Sequence, residues 1–130
     1  MRALVLTLAL AACAAQAPTT RPAPPLAGTS WMRVDRGEDA PHFPTLDFEV
    51  GRASGYAGCN RWFGSVTQNG ERLIFDGIGA TRMMCPEPAM ATERAFFNAL
   101  SATRLAQVEN GELVLFDEAG QELARFDRSH

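Results

Sequence analysis

Two Asn-Gly dipeptides set most of what this chain can fold into. Asn69-Gly70 separates the runs Arg61–Gln68 and Glu71–Asp76, and Asn110-Gly111 separates Thr103–Glu109 from Glu112–Asp117. Asn-Gly between apolar runs is the strongest short-range hairpin signal, because the tight turns that match strand twist need positive φ. Ala119-Gly120 turns the chain again into Gln121–Asp127. Upstream, Leu46, Phe48 and Val50 alternate with Asp47 and Glu49, and Trp31, Arg33 and Asp35 alternate with Met32 and Val34. That period of two marks strands with one buried and one wet face. The fold class expected is mainly β (α+β), a small curled or barrel-like antiparallel sheet.

One helix interrupts the strands. Residues 88–101 are good helix formers, Pro86 and Pro88 suit a first turn where no N–H is needed, and Glu87 complements the positive helix end. At 100° per residue, Phe96, Ala89, Leu100, Phe97 and Met90 share one arc of about 120°, the face expected to lie across the sheet. Glu93 falls inside that arc. A carboxylate among apolar neighbours is costly unless it is hydrogen-bonded or paired. Either it is an internal strut, held by an arginine or by backbone N–H groups, or it is a general acid or base. The strut is favoured, as a buried ion pair with Arg82; Arg61 is the second candidate partner.

The N-terminus reads as an export signal. Met1-Arg2 precedes the apolar run Ala3–Leu10, too short to span a membrane and suited to a secretory leader. Leu10-Ala11-Ala12-Cys13 resembles a bacterial lipobox, which makes residues 1–12 the signal peptide and Cys13 the lipid attachment site; an ordinary cut after Ala15 or Ala17 is the alternative. Ala14 follows Cys13, so no aspartate diverts a lipoprotein from the outer membrane, and the expected location is the cell envelope, as an outer-membrane lipoprotein facing the periplasm. Residues 13–27 are rich in proline, alanine and threonine and read as a tether, leaving residues 28–130 as one domain. Lipidation consumes one of the three cysteines. In an oxidising compartment the other two, Cys59 and Cys85, are expected to pair, closing a loop of about 26 residues worth roughly 3.5 kcal/mol.

Composition removes several functions. The formal net charge is −3, one unit more negative once Arg2 leaves with the leader, and there is no basic cluster of the kind nucleic acid requires. His42 and His130 make no local motif with a cysteine, and no nucleophile elbow, phosphate loop or zinc spacing is present. No catalytic residue and no cofactor is assigned. Cys59, Met83, Met84, Cys85 and Met90 offer sulfur to a soft metal such as Cu(I). Cysteine pairing and the opposite orientation of adjacent methionines in a strand argue against it, so no metal is assigned. One of the two methionines is expected to fill the core under the helix.

Gly58-Cys59-Asn60, Gly64, Thr81-Arg82-Met83-Met84-Cys85-Pro86, Met90, Glu93 and Leu100 together resemble the META domain, or HslJ-like, family of small bacterial envelope proteins, and Gly28-Thr29-Ser30-Trp31 resembles the start of that domain. Val66 departs from the pattern, which often carries an aromatic there. The resemblance implies a barrel-like antiparallel sheet with one helix across it, an envelope setting often with a lipid anchor, and a link to heat or antibiotic stress; it implies no reaction. The function expected is a non-catalytic binding or scaffolding module, held to the membrane by its lipid, with an unidentified envelope protein as partner. The alternative is a carrier of a small apolar ligand inside the barrel. Asn60, Arg61 and Trp62 form the candidate contact surface, with Trp62 equally suited to the core.

Overall fold

The computed structural model describes residues 3–5, 9, 23–34 and 43–129. Within them lie β1 (Ser30–Arg33), β2 (Thr45–Glu49), β3 (Arg52–Tyr56), β4 (Arg61–Asn69), β5 (Arg72–Ala80), α1 (Ala89–Ala102), β6 (Leu105–Glu109), β7 (Glu112–Phe116) and β8 (Glu122–Ser129). Each strand pairs antiparallel with its sequence neighbours, and β8 returns to β1, so the sheet closes into a barrel. This is the sheet expected from the turns, with the ring complete.

The turns are local chemistry. Asn110 and Gly111, at φ 51° and 79°, connect the paired residues Glu109 and Glu112, the double positive-φ turn that Asn-Gly favours. The other hairpin is shifted by one residue. Asn69 pairs with Arg72, so the two turn residues are Gly70 and Glu71, and only Gly70 needs positive φ, at 60°. A turn with glycine in its first central position meets the same twist requirement.

Closure is weakest where the helix is inserted. The β5–β6 ladder has a single register pair, Arg72 with Leu105, supported by Leu73 N–H donating to the Arg104 carbonyl at 3.0 Å and Ala106 N–H donating to the Glu71 carbonyl at 2.7 Å. Beyond it β5 diverges, and an open groove of about 340 Å³ runs along Ile74–Ile78 beside Ser101 and Arg104. Helix α1 connects these two strands in sequence, packs against β5 and β8, and buries Ala89, Glu93, Phe96, Ala99 and Leu100, with Met90 and Phe97 half-buried at the margins. The expected arc is the packed face.

The barrel interior is filled by its own side chains. Phe48, Phe75, Trp62, Phe96 and Phe126 form a continuous aromatic chain with centroid spacings of 5.6 to 6.4 Å, in tilted and edge-on geometries. Leu46, Leu73, Leu113 and Leu115 complete it. The Trp62 indole N–H is satisfied by the Thr45 carbonyl at 3.0 Å. That approach requires a glycine opposite: a Cβ on Gly55 would collide with the Thr45 carbonyl and lie 2.7 Å from its hydroxyl.

Two expectations need correction here. The packed domain begins before Gly28, because Ala23 and Leu26 are buried in the core and Gln68 grips the segment, donating to the Pro24 carbonyl and accepting from Leu26 N–H, both at 2.9 Å. Ala23 and Leu26 pack because the barrel supplies the surface they lack locally, while Pro24, Pro25 and Ala27 stay exposed. Trp62 is buried in the core and offers no contact surface. Cys13, His42 and His130 lie outside the described residues.

Candidate functional site

The one buried polar cluster in the described part of the domain joins the β3–β4 loop, the segment after β5 and the first turns of α1. Gly58 makes the junction possible: it adopts φ 126°, and a Cβ there would sit 3.1 Å from the Ala89 carbonyl and 3.2 Å from the Glu93 nitrogen. With the loop this close, the Asn60 backbone N–H reaches Glu93 Oε1 at 2.6 Å and its Nδ2 reaches Glu93 Oε2 at 2.9 Å. The same amide nitrogen donates to the Met83 carbonyl at 3.1 Å. Asn60 Oδ1 accepts from the Met83 N–H at 2.6 Å and from the Thr81 hydroxyl at 3.0 Å. The Met83 N–H fixes which end of the amide is oxygen. One buried asparagine thus uses both side-chain donors and accepts two bonds, and acts as a strand partner for Met83.

Glu93 is accordingly a strut, but the expected ion pair with Arg82 is not formed. Arg82 is exposed, as is Arg61, and neither makes an ion pair among the described residues, where both carboxylate oxygens face Asn60. The physical reason is cost: a buried arginine needs five donors satisfied, whereas an amide and one backbone N–H complete the carboxylate with nothing left over. Asn60 is therefore buried and belongs to the frame; of the candidate surface Asn60, Arg61 and Trp62, only Arg61 faces water.

Cys59 and Cys85 form the expected disulfide, with their Cα atoms 5.9 Å apart, beside this network. The five-sulfur set is thereby dispersed. Two sulfurs bond each other, Met90 is half-buried on the helix, and Met83 and Met84 point outward. The expectation that one of those two methionines fills the core fails because Asn60 occupies the inward backbone edge of Met83, turning the side chain out.

The helix start is finished from outside. Pro88 is the N-cap and makes no side-chain bond. Glu87, one residue earlier, accepts from the Ala91 N–H at 2.9 Å and from Arg94 Nη2 at 3.0 Å. The Arg94 hydrogen bond, then the Ala91 N–H, holds the Glu87 carboxyl below its ordinary 4.5. The unfolded chain therefore takes up this proton first, so the contact's stabilisation is complete above about pH 4.5 and is lost as pH falls through the lower folded value. Glu87→Gln should lower the urea midpoint slightly at pH 7, and the gap from the parent should narrow as the pH is taken below 4.5.

On the outer wall, Arg125 is ringed by Glu122, Glu109 and Glu112 at 2.5, 3.3 and 3.7 Å. Its stem lies on the strand beside Val114, its register partner, which is fully buried on a face that would otherwise meet water. These carboxylates support packing and converge on no cavity.

The META domain family model matches residues 24–130. Among solved structures, the chain is similar to an NMR structure of a protein from Burkholderia xenovorans, at 30% identity and a TM-score of 0.65, covering 80% of this chain and 83% of that one. It is also similar in fold to a crystal structure of a DUF4847 family protein from Bacteroides vulgatus, at 16% identity and a TM-score of 0.60, covering 78% and 93% of the two chains. The comparison with curated proteins gives no match.

Proposed function

Because the chain belongs to the META domain family, which is not known as an enzymatic one, we propose that it is a non-catalytic binding or scaffolding module of the bacterial envelope, carried on the membrane by lipid at Cys13 and linked to envelope, heat or antibiotic stress. The observation that carries this reading is the polar junction itself. Every side-chain polar group of Asn60 and both oxygens of Glu93 are spent on other parts of the fold, which suits a brace and, among the described residues, leaves no free base at this junction. The filled barrel favours surface contact over carriage of a ligand.

The braced end is the surface favoured for contact. Gln68 holds the incoming chain at the far end of β4, about eight residues or roughly 26 Å from Asn60 at 3.3 Å per residue. A chain anchored at Cys13 then enters the domain at the hairpin end, which leaves the braced end opposite the point of attachment. There Arg61, Arg82, Met83 and Met84 stand exposed, a mixture of arginine and adaptable apolar side chains common in protein interfaces.

A photo-crosslinking residue in place of Met84, compared in cells with one in place of Val50, tests this. Val50 is equally exposed on the β2–β3 turn. Discrete adducts to an envelope protein from position 84 and none from position 50 support the reading. No adduct from either, together with a small molecule retained in native mass spectrometry of the detergent-extracted protein, would replace it with the carrier.

A further inference from the structure

The braced end holds sulfur chemistry that the fold does not use. Met83 and Met84 are 57% and 86% exposed, against 37% for Met32, while Met90 is half-buried on α1. This exposure is built in. The Met83 N–H and carbonyl are both bonded to the Asn60 side chain, and Cys85, next after Met84, is bonded to Cys59. The backbone is fixed on both sides, and two neighbouring thioethers are held in water although burying each would contribute about 1.5–3 kcal/mol. The two thiols of the junction are already oxidised to a disulfide, so the thioethers are its remaining oxidisable groups.

We propose that Met83 and Met84 form a paired, reversible oxidation site for small two-electron oxidants of the peroxide class. The sulfur lone pair attacks one oxygen of hydrogen peroxide, an S–O bond forms as the O–O bond breaks, and the departing hydroxide takes the proton of the transferred oxygen and leaves as water. Sulfur loses two electrons, the peroxide gains them, and each thioether consumes one equivalent to become a sulfoxide. At this position the new oxygen points into solvent, so the modification costs the packing nothing; the same oxygen on Met90 would be set against the helix–barrel contact. An exposed sulfoxide on a folded domain is also open to the reductases that return each epimer to methionine. The inference rests on exposure and anchoring and stands apart from the binding reading.

The test treats the full chain, disulfide intact, with graded hydrogen peroxide, quenches with free methionine and maps each residue by mass. Oxidation is expected in the order Met84, Met83, Met32, Met90, with Met84 about tenfold faster than Met90. The doubly oxidised protein should keep its Tm within about 2 °C, since surface changes of this kind leave stability nearly unaltered, and the two methionine sulfoxide reductases should restore the original mass without unfolding. The Met83→Leu/Met84→Leu variant should consume two equivalents fewer, with Met32 and Met90 unchanged in rate. Oxidation of Met90 as fast as Met84, a Tm that falls as the pair oxidises, or sulfoxides reduced only after denaturation would each overturn the proposal.

Discussion

Asn60→Ala will cost this domain about 3–4 kcal/mol, a large part of the roughly 5–15 kcal/mol that holds such a fold together. The substitution removes both bonds to Met83, the bond from Thr81 and one of the two bonds to Glu93. It leaves Glu93 Oε2 buried without a donor. Paired deletions then give a sharper signal than either alone. Once Asn60 is alanine, Glu93→Ala removes an oxygen that has already lost its partner, so the double variant should lie about 1–3 kcal/mol above the sum of the singles in stability. Arg82→Ala is the control, expected within about 0.5 kcal/mol of the parent because the guanidinium is exposed and makes no ion pair among the described residues. Urea midpoints of the parent and the four variants decide the matter. Additive losses, or an Arg82 variant as damaged as the Asn60 variant, would mean that Glu93 is held by charge after all.

That outcome bears on what a sequence of this kind reveals. Period-two apolar spacing and the turn dipeptides determine strand faces locally, so most of the barrel is legible: Leu46 and Phe48 point inward as their alternation implies. Strand β3 is not legible. Its inward positions are Ala53 and Gly55, too small to mark a period, and at Gly55 the smallness is dictated by Thr45, which a Cβ there would strike. Glu93 is legible as a problem, because its place on the helix arc demands a partner. The solution lies 33 positions away at Asn60, through a loop whose approach depends on the φ of Gly58, and no local pattern encodes that distance. The outward turn of Met83 follows from the same unseen contact. Arginine was the expected partner because charge pairs with charge; burial reverses that preference once the desolvation of a guanidinium is counted.

Removing the disulfide should be the second large effect. A bond between residues 26 apart restricts the unfolded chain by roughly 3.5 kcal/mol in the chain-entropy account. For a domain of about a hundred residues, each kcal/mol moves Tm by about 4–8 °C, so Cys59→Ala/Cys85→Ala should lower Tm by roughly 14–28 °C. The loss should also be placed. The crosslink and Asn60 hold the same segment, the first covalently and the second by hydrogen bonds to Met83 and Thr81. With the covalent link gone, only hydrogen bonds to Asn60 and to the Arg61 backbone fasten the start of the chain between β5 and α1, and that segment should open before the barrel does. Hydrogen exchange in the double variant should therefore accelerate most at Met83, whose N–H faces Asn60, and least at Leu113–Leu115 in the barrel wall. Uniform acceleration would assign the disulfide to the stability of the whole barrel. A Tm unchanged by the double substitution would show that the hydrogen-bonded brace closes the junction without it.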